Sequence, residues 1–286
     1  MNQETTTYLT NIVIGVILSA LATNYWLQRK QSPVLKCWAI AAWILTAADI
    51  LFASRQFMPH ALGRLLPTLS VTLGQVVLLF GAQRTAGLSP RWKLAGAVIL
   101  VHAAGLVGFL FVDSPSMLRM AFNGLIWGGL DVFSGIGLRA GAPYFWRSVF
   151  APAWAFFAHA AFHALRVVLA TLAAKNNWTQ TAAVLQVAGD LEVSFFMVAL
   201  FVGLLVAHLQ QQHEELMQAQ AELQTLSGLL PICAWCKKVR DDDGYWRQVD
   251  DYFCRHSNVR FTHGVCVDCV ERIGESAEPI APAPRR

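Results

Sequence analysis

Leu191-Glu-Val-Ser-Phe-Phe-Met-Val-Ala-Leu200-Phe-Val-Gly-Leu-Leu-Val-Ala-His208 decides how this chain must fold. From Val193 to Ala207 no side chain carries a charge, and from His208 onward the same stretch turns polar as Leu-Gln-Gln-Gln-His-Glu-Glu. An apolar run of this kind suits a bilayer-spanning helix, because lipid leaves backbone groups no partner except each other. Six further runs precede it, so the expected spans lie near 9–27, 34–54, 65–82, 93–112, 117–138, 149–174 and 181–207. The composition agrees: the 286 residues are 55% hydrophobic and 14% charged, against roughly 25% charged in an average soluble domain. The expected fold is an all-α polytopic membrane bundle of about seven transmembrane helices over residues 1–207. A short coiled coil and a small α+β treble-clef-like zinc module are expected to follow.

Charges in the short gaps set an orientation. Arg29, Lys30 and Lys36 follow the first run, Arg84, Arg91 and Lys93 the third, and Arg139 and Arg147 the fifth. The other side carries Arg55 and Arg64, then Asp113 and Arg119, then Lys175. By the positive-inside rule the N-terminus is expected outside and the C-terminus in the cytoplasm, with Arg55 and Arg64 running against the bias. Trp26, Trp92, Trp146 and Trp178 fall at predicted span ends, where amphipathic rings prefer to sit. The residues before the first run include Glu4 and no Lys or Arg, unlike a secretory signal. The net charge is only +4 and its basic residues flank apolar runs, which argues against a nucleic-acid partner.

Ionisable residues inside predicted spans are costly and are usually paired or functional. Asp49, His102, His163, Arg166, Asp190 and Glu192 are the candidate membrane-embedded ligand site, placed at mid-depth or in the outer half of the spans. Asp131 and His159 are further polar groups inside spans. Pairing of Arg166 with Asp190 or Asp49 to hold helices together is the structural alternative. His159 and His163, four residues apart on one helix face, also permit a haem or metal ligand pair.

Past the last span, Leu209, Leu216 and Leu223 recur every seven residues, with Ala219 and Leu226 between them. That seam predicts a short parallel coiled coil over 208–228, and hence a homodimer. A single amphipathic helix against its own chain or the membrane is the alternative. No proline interrupts Gln180 to Leu226, so span and coil can form one helix.

Residues 229–274 hold two Cys-x-x-Cys pairs, Cys233-Ala-Trp-Cys236 and Cys266-Val-Asp-Cys269. Each pair offers two sulfurs from one tight turn, the arrangement of a structural four-thiolate zinc site. Cys233, Cys236, Cys266 and Cys269 are the expected ligands, with His263 as an alternative; Cys254 and His256 are expected to pack or face solvent. A reducing compartment would favour metal over disulfides. Lys237–Arg240 and Tyr245–Trp246 read as two strands around an Asp242-Asp243-Gly244 turn, with helices near Asp250–His256 and from Val270. So small a segment buries little core, and a metal would supply folding energy. Thiol redox chemistry at Cys233 and Cys236 is the competing reading. Residues 275–286 read as a disordered Pro/Ala-rich tail.

The stretch Leu229-Leu-Pro-Ile-Cys-Ala-Trp-Cys-Lys-Lys-Val-Arg-Asp-Asp-Asp-Gly-Tyr-Trp246, with His256-Ser and Phe261-Thr-His-Gly-Val-Cys-Val-Asp-Cys269, resembles a cysteine module of bacterial signalling proteins. Such modules accompany sensor histidine kinases, response regulators, PAS-domain proteins and diguanylate cyclases, often after a coiled coil. Cys233, Cys236, Cys266, Cys269, His256 and His263 match its pattern, whereas Val267 stands where proline is usual. The membrane half looks only generically like a multi-span bacterial sensor region.

The resemblance implies a bacterial inner-membrane signal-transduction protein of the two-component type. It would sense an external or membrane-dissolved cue and present a zinc-stabilised module to a cytoplasmic signalling partner. No kinase or cyclase domain is seen in the sequence, so the expectation is a sensor that is not itself an enzyme. The alternatives are a membrane thiol, quinone or haem redox protein using Cys233 and Cys236, and a transporter using Asp49, Asp131 and Asp190.

Overall fold

The computed structural model describes residues 3–29, 32–111, 116–148, 150–176, 179–227, 231–241, 243–256, 260–262 and 264–275. His263, Asp113, Trp178 and residues 276–286 of the predicted tail lie outside the described residues. The chain divides into two compact units, Met1–Glu215 and Leu216–Arg286.

The first unit is built from long helices: α1 (Gln3–Gln28), α2 (Pro33–Ser54), α3 (His60–Thr85), α4 (Trp92–Phe111), α5 (Ser116–Arg139), α6 (Pro152–Lys175) and α7 (Thr179–Ser227), the last running on into the second unit. Local signals start two of them. Ser32 caps α2 by accepting the Leu35 N–H at 3.3 Å, and Pro33 and Pro152 occupy first-turn positions, where a missing N–H costs nothing. Short 3-10 turns at Arg55–Phe57 and Pro143–Phe145 follow α2 and α5.

Six helices are long and apolar enough to cross a membrane: Thr7–Gln28, Pro33–Phe57, His60–Thr85, Trp92–Phe111, Pro152–Lys175 and Val187–Glu222. The sequence predicts about seven, and α5 is the one outside this set. It is long enough, with 24 residues, and exposes Leu125, Phe133 and Ile136 outward, but its other face is rich in glycine and polar residues. It packs closely on α6 through glycines. A Cβ on Gly124 would stand 2.9 Å from Val167, on Gly128 3.1 Å from His163, and on Gly135 2.9 Å from Phe157. Small residues let helix backbones approach where lipid offers no hydrophobic drive for association. The same small residues, with Arg119, Asp131 and Arg139, dilute the helix's apolar character.

The main core joins Trp38 of α2, Leu78 of α3, Leu138 of α5, Phe156 of α6 and Phe196, Leu200 and Leu204 of α7. Outward, the bundle exposes Val13, Leu21, Leu100, Leu125, Phe133 and Phe195. Apolar side chains on the outside and polar ones within suit a hydrocarbon surround.

In the second unit, β1 (Val239–Arg240) pairs antiparallel with β2 (Trp246–Arg247), Val239 opposite Arg247 and Arg240 opposite Trp246. Gly244, at φ +86°, closes the turn; its N–H donates to Asp241 O at 2.9 Å, and the Tyr245 N–H donates to Asp241 Oδ1 at 2.7 Å. Helices α8 (Val249–His256) and α9 (Val267–Glu275) follow, so α9 begins three residues before the predicted Val270.

Candidate functional site

A cavity of about 750 Å³ lies within the first unit. Its walls come from α1 (Tyr8, Asn11), α2 (Asp49), α3 (Arg64, Gln75), α5 (Arg119, Trp127), α6 (His159, His163, Arg166) and α7 (Asp190, Glu192). Five of the six membrane-site residues expected from sequence, Asp49, His163, Arg166, Asp190 and Glu192, therefore line one chamber. They come from three helices, and only the packing of the bundle unites them.

His102 is not a wall residue. It is fully buried, with Nδ1 2.6 Å from Thr72 Oγ1 and Nε2 3.0 Å from Asn123 Oδ1. Trp127 Nε1–H donates to the same Thr72 oxygen at 3.0 Å. A proton on Nε2 satisfies this chain from Trp127 through Thr72 and His102 to Asn123, so the histidine ties α4 to α3 and α5.

Arg55, Gln56 and Arg64 are exposed wall residues, so the cavity reaches the surface at the end of the bundle where α2 finishes and α3 begins. Arg119, from the first turn of α5, lines the same end. Arg55 and Arg64, the two arginines that run against the charge bias of the loops, thus have a place in the cavity wall. Deeper in, the Arg166 guanidinium presses on Gly189, where an added Cβ would stand 2.9 Å from Nη1. Asp190 accepts from Tyr8 Oη at a long 3.5 Å, and its carbonyl accepts from Asn11 Nδ2 at 3.0 Å. The other end of the Asn11 amide accepts from Ser194 Oγ.

The innermost wall is the most unusual. Asp131 of α5 is fully buried, with Oδ2 2.8 Å from His159 Nδ1; on the other side of that ring, Nε2 stands 3.2 Å from Glu192 Oε2. These are ion-pair distances without hydrogen-bond alignment, since among the described residues none of those four atoms completes a hydrogen bond. One donor atom each of Asp131, His159 and His163 lies within 4.8 Å of the other two, and all three residues are buried. The sequence marked His159 and His163 as a possible ligand pair but offered no way to place Asp131 beside them, because nothing local in α5 or α6 shows which of their faces will meet.

In the cysteine module the two pairs form separately. The Cys233 N–H donates to Lys238 O at 2.8 Å and the Lys237 N–H to Cys233 O at 3.0 Å, closing a turn in which Lys237 takes φ +60°. The Cys236 N–H, then that of Trp235 and the Cys236 thiol, hold the Cys233 thiol below its ordinary range. Cys266 immediately precedes α9, and its thiol is lowered by the Cys269 N–H and thiol in the same manner. Both turns favour thiolate, which metal binding and thiol chemistry alike require. Among the described residues, the group of three or more His, Cys, Asp or Glu donors within 4.8 Å is Asp131, His159 and His163, so the four sulfurs are paired but not gathered into one cage. Cys254 and His256 are exposed on α8, and the alternative ligand His263 lies outside the described residues.

Comparison with protein-family models, with curated proteins and with solved structures found no match to this chain.

Proposed function

We propose that this chain is a bacterial inner-membrane signal-transduction protein. Its bundle receives a small polar ligand in the cavity, and α7 relays the event to the cysteine module. The observation that carries the reading is the double role of α7: it contributes Asp190 and Glu192 to the cavity wall and continues as one helix to Ser227. A ligand that competes for Arg166, Asp190 or Glu192 acts directly on that helix, and a packed helix answers by a discrete shift rather than a gradual bend.

In this reading all seven long helices cross the bilayer, with the N-terminus outside and the C-terminus in the cytoplasm. The heptad leucines pair two copies, and Leu209 and Leu216, both exposed on the single chain, supply that seam. Zinc on Cys233, Cys236, Cys266 and Cys269 stabilises a module that docks a cytoplasmic signalling protein. Closing a four-sulfur cage requires the two cysteine turns to approach, and each already favours the thiolate a metal takes.

Cross-linking tests the relay. Leu209→Cys and Leu216→Cys, introduced singly into the full chain in membranes, are expected to give dimer cross-links. The ratio of their rates is expected to change severalfold on adding Asp190→Asn. Cross-links that ignore Asp190→Asn would sink the relay, and a complete lack of dimer would sink the coiled coil. The redox reading makes a different demand: a reversible Cys233–Cys236 disulfide, with quinone or haem retained by the purified protein.

A further inference from the structure

Asp131 and Glu192 bring two carboxylates to the inner wall of the cavity, and His159 stands between them. Carboxylates inside a membrane bundle need compensation, because charge there is costly unless paired or bound to a cation. His159 faces both, and Arg166 attracts Glu192 from the same cavity wall. A divalent cation beside Asp131 would add to that balance where the carboxylate is fully buried.

The donors suit such an ion. Two imidazoles and a carboxylate make a common zinc set, and imidazole also suits copper, iron and nickel. His159 and His163 share a face of α6, and their rings lie 4.4 Å apart between centroids. His163 is 3% exposed, lines the cavity, and has neither ring nitrogen in a hydrogen bond among the described residues. A buried imidazole with two idle nitrogens is expensive as structure and ready as a ligand. Packing has set the geometry in advance. Phe196 stacks on the His159 ring at 3.8 Å and 10°, and Gly128 makes room for His163, whose Cβ would stand 3.1 Å from any side chain there. Zinc bonds of about 2.1 Å put tetrahedral ligand atoms about 3.4 Å apart. The three donors, within 4.8 Å of one another, need only small side-chain movements beside an open chamber.

We propose that Asp131, His159 and His163 bind a divalent transition-metal ion at the inner wall of the cavity, and that Glu192 orients His159 from its far nitrogen. Metal-ligating histidines almost always give their second N–H to a carboxylate or carbonyl, which fixes the ring. His159 and His163 face the chamber while Asp131 lies behind them, so the ion's remaining position opens to whatever enters. The inference rests on the sensor reading for its purpose and names a cue for it: the metal itself, or a small ligand that coordinates it. Because Glu192 lies on α7, occupancy would be felt by the relay helix.

The test uses the full chain in detergent with Cys233, Cys236, Cys254, Cys266 and Cys269 all replaced by Ser, so that the cysteine module's thiolates contribute nothing. Co²⁺ is added, excess is removed by desalting, and retained metal is measured. About one Co²⁺ per chain is expected, as for a single-ion site, with a spectrum lacking thiolate-to-cobalt charge transfer. His163→Gln and Asp131→Asn are each expected to abolish retention. Glu192→Gln should weaken it by about 10- to 100-fold, the usual effect of losing the orienting carboxylate. His213→Ala, on the exposed part of α7, should leave it unchanged. Negligible retention by the folded parent, or retention that survives His163→Gln, overturns the site. If His163→Gln does not fold, the parent's melting temperature decides: Zn²⁺ is expected to raise it, and no rise overturns the proposal. Such a failure would leave the relay open, because cross-linking at Leu209 and Leu216 reads α7 and not metal.

Discussion

The bundle and the cysteine module are opposites in what they bury. The bundle encloses Asp131, Ser134, His102, His159 and His163 along with its aromatic core, and leaves leucines and phenylalanines outside. The module buries only Val239 and Asp241 among its described residues, while Trp235 is 94% and Val267 73% exposed. One unit has polar groups that an apolar surround forces inward. The other has apolar groups and hardly a core to receive them. Packing can therefore hold the bundle, whereas the module needs a cross-link, a metal or a partner.

The sharpest way to break this contrast is to remove the thiolates. On the proposed zinc site, Cys233→Ser with Cys266→Ser should cost the module its fold, since zinc supplies about 10–16 kcal/mol in small metal-dependent domains. Hydrogen exchange would show residues 231–275 losing protection while residues 3–215 keep theirs. Unchanged protection of the double variant would mean that the module is held together by something other than its cysteines.

A core deletion runs the contrast in the other direction. Phe156 is fully buried among Trp38, Phe196 and Leu200. Phe156→Ala should destabilise the bundle by about 3–5 kcal/mol and leave exchange in the module unaltered. Equal loosening of both units would show that they do not fold separately.

The smallest effect is set by pH. Arg247, then the Tyr245 N–H, hold the Asp241 carboxyl below its ordinary value. A carboxylate whose folded pKa is depressed stabilises fully above the unfolded value, about 3.9, and loses that contribution as pH falls through the folded one. The β1–β2 hairpin should thus loosen only in acid below about pH 4, and Asp241→Asn should remove the pH step while lowering stability at neutral pH. A step that persists in Asp241→Asn belongs to another group.

Much of the plan was legible in the chain. The apolar runs mark every long helix, the lack of proline after Gln180 anticipates the length of α7, and Gly244 marks the hairpin turn. The polar residues in those runs were visible too, and five of the six singled out line one cavity. The status of α5 was harder to read, because the glycines and polar residues that serve its helix contacts also dilute its apolar character. Arg55 and Arg64 looked like exceptions to the loop-charge rule until the fold placed them in the cavity wall. His102 looked equivalent to His163, yet one is tied up by Thr72 and Asn123 while the other has both nitrogens idle among the described residues.

The sequence alone determined that helices of bilayer length form, where they stop, and which residue types they carry inward, because hydrophobic runs, caps and turns act over a few neighbouring residues. Which of those residues meet was decided only by the tertiary structure. Asp131, His159 and Glu192 lie on three helices, and they converge because glycines on α5 let α6 approach while Phe196 of α7 packs against His159. Close packing between distant segments leaves no short-range signature, so a local reading could mark these polar groups inside spans but not assemble them.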